Sequence, residues 1–201
     1  MTKLYNPYPY TDTSDLDKEL QCSNRGVSSV ISIDMFRDKC SADPKKVTKY
    51  LLSKELEENR VCKTSHNIMF QDHNLPTSNP DNSLLSSVMV DIVNKLSKAM
   101  DRRIKILTGW TIIHHYQYQT APHTHMGNGI DLACVYWAQV PEGSGHLSCY
   151  PLGLPGPHTL VKATEGEFLV FPSDLVHGVT QNVSDEPRVS MSFNLQVLPK
   201  L

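Results

Sequence analysis

The eight residues from Arg188 to Leu195 alternate without a break. Arg188, Ser190, Ser192 and Asn194 fall on one parity, and Val189, Met191, Phe193 and Leu195 fall on the other. Successive side chains of an extended chain point to opposite faces, so this run is a strand with one apolar face and one lined by a guanidinium, hydroxyls and an amide. A polar line of that kind is costly to bury without partners, and we read it as the wall of a ligand pocket. Upstream, Gly166 to Phe171 is an apolar run closed by Pro172, and His177 follows between Val176 and Gly178, near a strand end.

About 50 residues before His177, the segment Pro122-His123-Thr124-His125 follows an aromatic stretch from Trp110 to Gln119. Two histidines at this spacing project from the same side of an extended chain and can converge on one ion, with His177 as a third ligand. Any one of the nine histidines alone reads equally well as a satisfied surface or core residue. The combination of H-x-H, a lone His beyond a second strand and Arg-x-Ser on the next is what points to a metal site beside an anion clamp. Neutral imidazoles suit Fe, Zn, Cu or Ni, so these ligands alone do not name the metal. Asp131 can be read as the carboxylate of a two-histidine, one-carboxylate iron site or as the opening of the strand Leu132 to Val140, and the strand-end reading is favoured. Arg188 with a hydroxyl two residues on is a natural bidentate site for a carboxylate; the competing reading pairs it with Asp185 or Glu186.

The rest of the chain fits around these residues. Val27 to Ile33 has strand character. Asp43-Pro44 opens a helix ending near Arg60, residues 62–82 read as loop with at most a short strand at 68–70, and Leu85, Val88, Met89, Ile92, Leu96 and Ala99 mark a second amphipathic helix. From Ile104 onward the pattern is β, with strands expected at 104–107, 110–119, 131–140, 146–150, 159–163, 166–171 and 188–197. His114 and His115 are expected to pack across a sheet, and His146 and His158 to face solvent. Trp137 and Tyr136 are expected in the core, and the Pro/Gly loop at 151–158 as a lid. The whole is an α+β chain, residues 1–201 forming one domain, with 1–103 a mostly helical support and 104–201 the β core.

Composition narrows the function. A formal net charge of -2 leaves no excess of Lys and Arg for general nucleic-acid binding. Five cysteines without a C-x-x-C pair read as free thiols of a reducing, cytoplasmic environment. No run of 18 apolar residues and no apolar leader is present, so neither a membrane span nor a signal peptide is expected.

With these residues in place, the chain resembles the Fe(II)- and 2-oxoglutarate-dependent oxygenases, in particular a small, prolyl-hydroxylase-like branch, over about Trp110 to Val197. The resemblance implies a double-stranded β-helix, jelly-roll and cupin-like, carrying H-x-D/E after one strand, a distal His about 50 residues later and an Arg or Lys about ten residues beyond. Here His123, His125, His177 and Arg188 fall on that pattern, and Arg188-Val189-Ser190 matches the R-x-S that holds the far carboxylate of 2-oxoglutarate in some members. Tyr116 matches a tyrosine often placed near the cosubstrate. Position 125 departs from the family, which leaves a three-histidine iron site, recruitment of Asp131, or altered activity. The resemblance implies a dioxygenase using Fe(II), 2-oxoglutarate and O2, with ascorbate as a reductant, that hydroxylates a small-molecule or peptidyl substrate. The alternatives are a cupin-type isomerase or dioxygenase independent of 2-oxoglutarate, suggested by Gly166, Pro172, His177 and Asn182, and a non-catalytic β-helix binding module.

Overall fold

A computed structural model describes residues 33–58, 62–64, 67–72, 83–156 and 158–200. Its elements are β1 (Phe36–Lys39), α1 (Pro44–Glu58), β2 (Cys62–Thr64), β3 (Asn67–Asp72) and α2 (Ser83–Met100), then β4 (Arg103–His114), β5 (Thr120–His123) and β6 (Leu132–Gln139). They continue with β7 (Leu147–Tyr150), β8 (Thr159–Val161), β9 (Glu167–Pro172), β10 (Val176–Val179) and β11 (Arg188–Leu198). Seven strands form one sheet in the order β1-β9-β6-β11-β4-β3-β2, and four form a second in the order β5-β10-β7-β8. All strand pairs are antiparallel. The fold is a double-stranded β-helix with, among the described residues, two helices against it, as the family resemblance implies.

The alternation in β11 organises both cores. Val189, Met191, Phe193 and Leu195 are fully buried together with Leu51, Val88, Ile92 and Leu96, so the apolar parity faces the helices. The opposite parity faces the second sheet, where Ala133, Val135, Trp137, Leu147, Cys149, Leu169 and Phe171 form a second core. Register carries this inner face across the large sheet. Arg188, Ser190, Ser192 and Asn194 pair with His114, Ile112, Trp110 and Thr108 of β4, and directly paired residues share a face.

Several expectations shift in detail. The strands expected at 104–107 and 110–119 are one strand that ends at His114, because the chain then turns through Gln117 at a φ of 67°. His177 lies within β10 rather than beyond a strand end, and β5 is a strand the pattern did not announce, since its Thr-Ala-Pro-His is short and exposed. The first half contributes strands β1, β2 and β3 as well as helices. β1 is a polar edge strand whose only signal is Phe36, opposite Val170. Strand character at Val27 to Ile33 falls almost entirely outside the described residues. Among the described residues no helix is long and apolar enough to cross a membrane.

Candidate metal centre and anion pocket

A cavity of about 380 Å³ opens between the two sheets, and His123, His125, His177, Arg188 and Ser190 all line it. His123 and His177 are cross-strand neighbours on β5 and β10. Their approach depends on Gly178, where an added Cβ would meet the Thr120 carbonyl oxygen at 2.8 Å and the Pro122 nitrogen at 3.2 Å. Any side chain there would push β5 away and open the pair. His125 follows β5 in a loop that is pinned by its own backbone, since the His125 N–H donates to the Ser173 carbonyl at 2.8 Å.

Which ring nitrogens are already engaged decides which are free to bind an ion. His123 Nδ1 lies 2.9 Å from the Ala121 carbonyl, His177 Nδ1 lies 2.9 Å from the Leu175 carbonyl, and His125 Nδ1 lies 2.7 Å from Asn194 Oδ1. A carbonyl oxygen can only accept, so each proton is assigned to Nδ1 and each Nε2 is left with a bare lone pair. The Asn194 orientation is fixed in turn, because its Nδ2 donates to Thr108 Oγ1 at 2.9 Å. The candidate ligand atoms of the three rings lie within 4.8 Å of one another, with the His125 and His177 Nε2 atoms 3.2 Å apart. Two neutral acceptors at that distance repel unless a cation lies between them. Two nitrogens bound at about 2.1 Å and at right angles would stand about 3.0 Å apart, so the observed separation fits neighbouring ligands of one ion. Burial lowers the His177 pKa to about 4 and lowers that of His125, which keeps both rings neutral near pH 7 and ready to ligate.

The surroundings stiffen this triangle. Trp110 stacks on His125 with centroids 5.5 Å apart and planes at 16°, and Phe171 meets His177 edge-on at 4.7 Å. Asn194 was visible in the sequence as part of the polar parity, but its role as the hydrogen-bond partner of His125 emerges only from the structure. Asn194→Ala is expected to lower metal affinity about 10–100-fold while leaving the fold intact, as is usual when such a supporting partner is lost. A chelator-competition titration of the variant against the parent measures it.

Asp131 is engaged elsewhere. Its carboxylate accepts from the Val197 N–H at 2.8 Å, and its backbone bonds both Leu195 and Ser173, so it ties β11 to the start of β6. The described acids bring no carboxylate into the group of histidines, and the cavity wall carries none.

Arg188 occupies a different part of the same cavity. It is 1 % exposed, and its Nε and Nη1 have no hydrogen-bond partner, so neither Asp185 nor Glu186 satisfies them. Burial lowers its pKa to about 10, which leaves it charged at neutral pH. An unpaired buried guanidinium is expensive, and its donor fork matches a carboxylate. Ser190 is buried beside it, its hydroxyl only 3.5 Å from the Ile112 carbonyl and therefore weakly engaged. Asn182, fully buried, donates to the His114 and Glu186 carbonyls at 2.8 and 3.0 Å and accepts from the Ser184 N–H at 2.9 Å. It thereby fastens the segment leading into Arg188 to the end of β4.

Tyr116 is the expected site residue that the structure does not bring to the pocket. It is 51 % exposed and is absent from the cavity wall, because β4 ends two residues earlier and the turn carries the phenol outward. His114 fills the inward position that the alternation would have continued; it is 1 % exposed and sits opposite Arg188. His146 and His158 are partly buried rather than solvent-facing, and His158 lies against Tyr150 at 5.1 Å. The 151–158 loop leaves β7 at Tyr150, which pairs with Val176 beside His177, but its Leu152 and Leu154 are 64 % and 56 % exposed and do not line the cavity.

Comparison with known proteins agrees with this fold. The family model described as "Putative 2OG-Fe(II) oxygenase" matches residues 153–194. No curated protein sequence matches the chain. Among solved structures, the chain is similar to the non-heme alpha ketoglutarate dependent carbocyclase SnoK from nogalamycin biosynthesis, with a TM-score of 0.64 and 14% identity, covering 81% of this chain and 79% of that one. It is similar to a prolyl hydroxylase from Trichoplax adhaerens, solved with a hypoxia inducible factor peptide, with a TM-score of 0.63 and 13% identity over 93% of both chains. HygX from Streptomyces hygroscopicus, solved with nickel and 2-oxoglutarate bound, gives a TM-score of 0.60 and 12% identity over 82% of this chain and 83% of that one. The chain therefore has the double-stranded β-helix fold of the 2-oxoglutarate- and iron(II)-dependent oxygenases, and a model of those enzymes matches the segment that carries His177, Arg188 and Ser190.

Proposed function

We propose that the protein is a non-haem Fe(II)- and 2-oxoglutarate-dependent dioxygenase that hydroxylates its substrate. The observation that carries this reading is the presence, in one cavity, of three histidines whose candidate ligand atoms lie within 4.8 Å of one another and a buried guanidinium with unused donors. His123, His125 and His177 would hold the metal as a three-histidine set, with Nδ1 of each locked by an acceptor. Arg188 and Ser190 would take the distal carboxylate of 2-oxoglutarate. Trp110, Ile112, Val135, Leu147, Phe171 and Val179 give the cavity a largely apolar wall that excludes water from the reacting groups. Iron in such a setting supplies the activation of O2 that couples decarboxylation of 2-oxoglutarate, giving succinate and carbon dioxide, to oxidation of a substrate C–H bond. Ascorbate is the reductant we would supply. The substrate is a small molecule or a peptidyl side chain, and a cytoplasmic setting is supported by the free thiols of Cys40, Cys134 and Cys149.

A cupin-type centre that works without 2-oxoglutarate would use the same histidines but leaves the buried Arg188 without a purpose. The experiment is an anaerobic titration of 2-oxoglutarate into the Fe(II)-loaded protein, following the visible metal-to-ligand charge-transfer absorption. The band is expected in the parent and in Asp131→Ala, and is expected to vanish in His125→Ala. Iron that binds without giving a band would favour the cupin reading, and a protein that binds no iron would favour a binding module. Loss of the band in Asp131→Ala with retention in His125→Ala would replace His125 as the third ligand.

A further inference from the structure

We propose that Thr120 is a further ligand of the distal carboxylate, and that His114 is a positioning residue that fixes the Thr120 hydroxyl as a donor to it. The proposal rests on the reading of the cavity as a 2-oxoglutarate site. Thr120 lines that cavity together with Arg188 and Ser190. Its Oγ1 lies 2.7 Å from His114 Nε2, and His114 is the register partner of Arg188. His114 is 1 % exposed, and its Nδ1 is buried with no partner.

These contacts select one tautomer. With the proton on Nδ1, a buried N–H would be orphaned beside the donors of Arg188, and the threonine would spend its own proton on Nε2. With the proton on Nε2, the imidazole donates to Thr120 Oγ1, and the bare Nδ1 lone pair lies in the positive field of the guanidinium. Orphaned buried N–H groups are rarer than under-used acceptors, and the neighbouring cation adds to that preference. Burial and Arg188 together lower the His114 pKa to about 3, so the ring is neutral and holds a single proton to place. Once Oγ1 accepts from His114, its own proton is free to turn into the cavity. An anion held by Arg188 is the group in reach that calls for it, and hydrogen bonds to charged acceptors are the stronger kind.

The test uses the full chain, loaded anaerobically with Fe(II), and two probes: 2-oxoglutarate and 2-oxopentanoate, which keeps the 2-oxo acid but lacks the distal carboxylate. Thr120→Val is expected to weaken 2-oxoglutarate binding by about tenfold or more, as loss of one hydrogen bond to a charged group implies. Thr120→Ser should restore it, and 2-oxopentanoate should bind parent and variants alike. His114→Leu should cause the same loss as Thr120→Val, and the double variant no further loss, because the histidine acts only through the hydroxyl. Undiminished 2-oxoglutarate affinity in Thr120→Val, an equal loss for 2-oxopentanoate, or losses that multiply in the double variant would each overturn the proposal. If His114→Leu does not fold, the Thr120→Val and Thr120→Ser pair decides it alone. A parent that binds iron but neither probe removes the underlying reading, and this one with it.

Discussion

His177→Ala is expected to strip the protein of its metal and of all turnover while leaving it folded. The imidazole is 5 % exposed, its Nδ1 is locked to the Leu175 carbonyl, and its Nε2 faces that of His125 at 3.2 Å, so it is the most buried of the three candidate donors and is held in place. Loss of a supporting hydrogen bond around a metal costs about 10–100-fold in affinity, and loss of a donor atom should exceed that range. The neighbouring sheet pairs Val176 with Tyr150 and Gly178 with Ser148, contacts that do not involve the ring, so β10 should remain in place. Metal analysis after dialysis, with circular dichroism as the control for folding, would show it. A variant that retains one equivalent of iron would mean that His177 is not a ligand.

Arg188→Met should produce two opposite effects, and their combination is what a merely structural arginine would not give. The side chain is buried with Nε and Nη1 unpaired, so the metal-free, ligand-free protein carries the desolvation cost of a charge with no compensating partner. A thioether of similar length removes that cost, and replacing buried charge by apolar volume is often neutral or stabilising by about 1–4 kcal/mol. For a chain of this size each kcal/mol moves the melting temperature by about 2–4 °C, so the variant without ligand should melt no lower than the parent and by up to several degrees higher. Binding should move the other way. Truncating one partner of a buried charge pair costs about 2–5 kcal/mol, which is roughly 30-fold to several thousandfold in affinity for 2-oxoglutarate. Differential scanning fluorimetry with and without 2-oxoglutarate reads both effects in one experiment; a ligand-induced shift that survives in the variant would remove Arg188 from the site.

Much of this site was legible before any coordinates, because a strand's period of two is a strong constraint. Once Val189, Met191, Phe193 and Leu195 are assigned to a core, Arg188, Ser190, Ser192 and Asn194 must face the other way, and a face with that chemistry has to meet a ligand or other polar groups. The choice between His125 and Asp131 was not legible, since both lie outside regular structure. Their directions are set by distant backbone, His125 by Ser173 and Asp131 by Val197. Tyr116 misled for the same reason, because alternation was carried past a turn that begins after His114. The inward place of His114 follows from counting back by twos from that turn to Ile112 and Trp110, but its bond to Thr120 joins two strands in different sheets, a pairing that one-dimensional patterning does not record.

A histidine ligand at position 125, where the family pattern has a carboxylate, would also change how ligands reach the cavity. Three neutral imidazoles do not offset the charge of a divalent ion, and among the described residues the only charged side chain in the wall is the cation Arg188. With the ion in place, the described cavity wall and the ion together would carry three positive charges. A dianion such as 2-oxoglutarate would be steered inward and, once seated, would leave one positive charge in excess where a carboxylate ligand would have left neutrality. Its association rate should therefore fall with rising ionic strength, because salt screens long-range attraction over about 10 Å at 0.1 M. Succinate, carrying the same charge, would feel the same pull on leaving, so a feature that speeds capture would also slow release of the product.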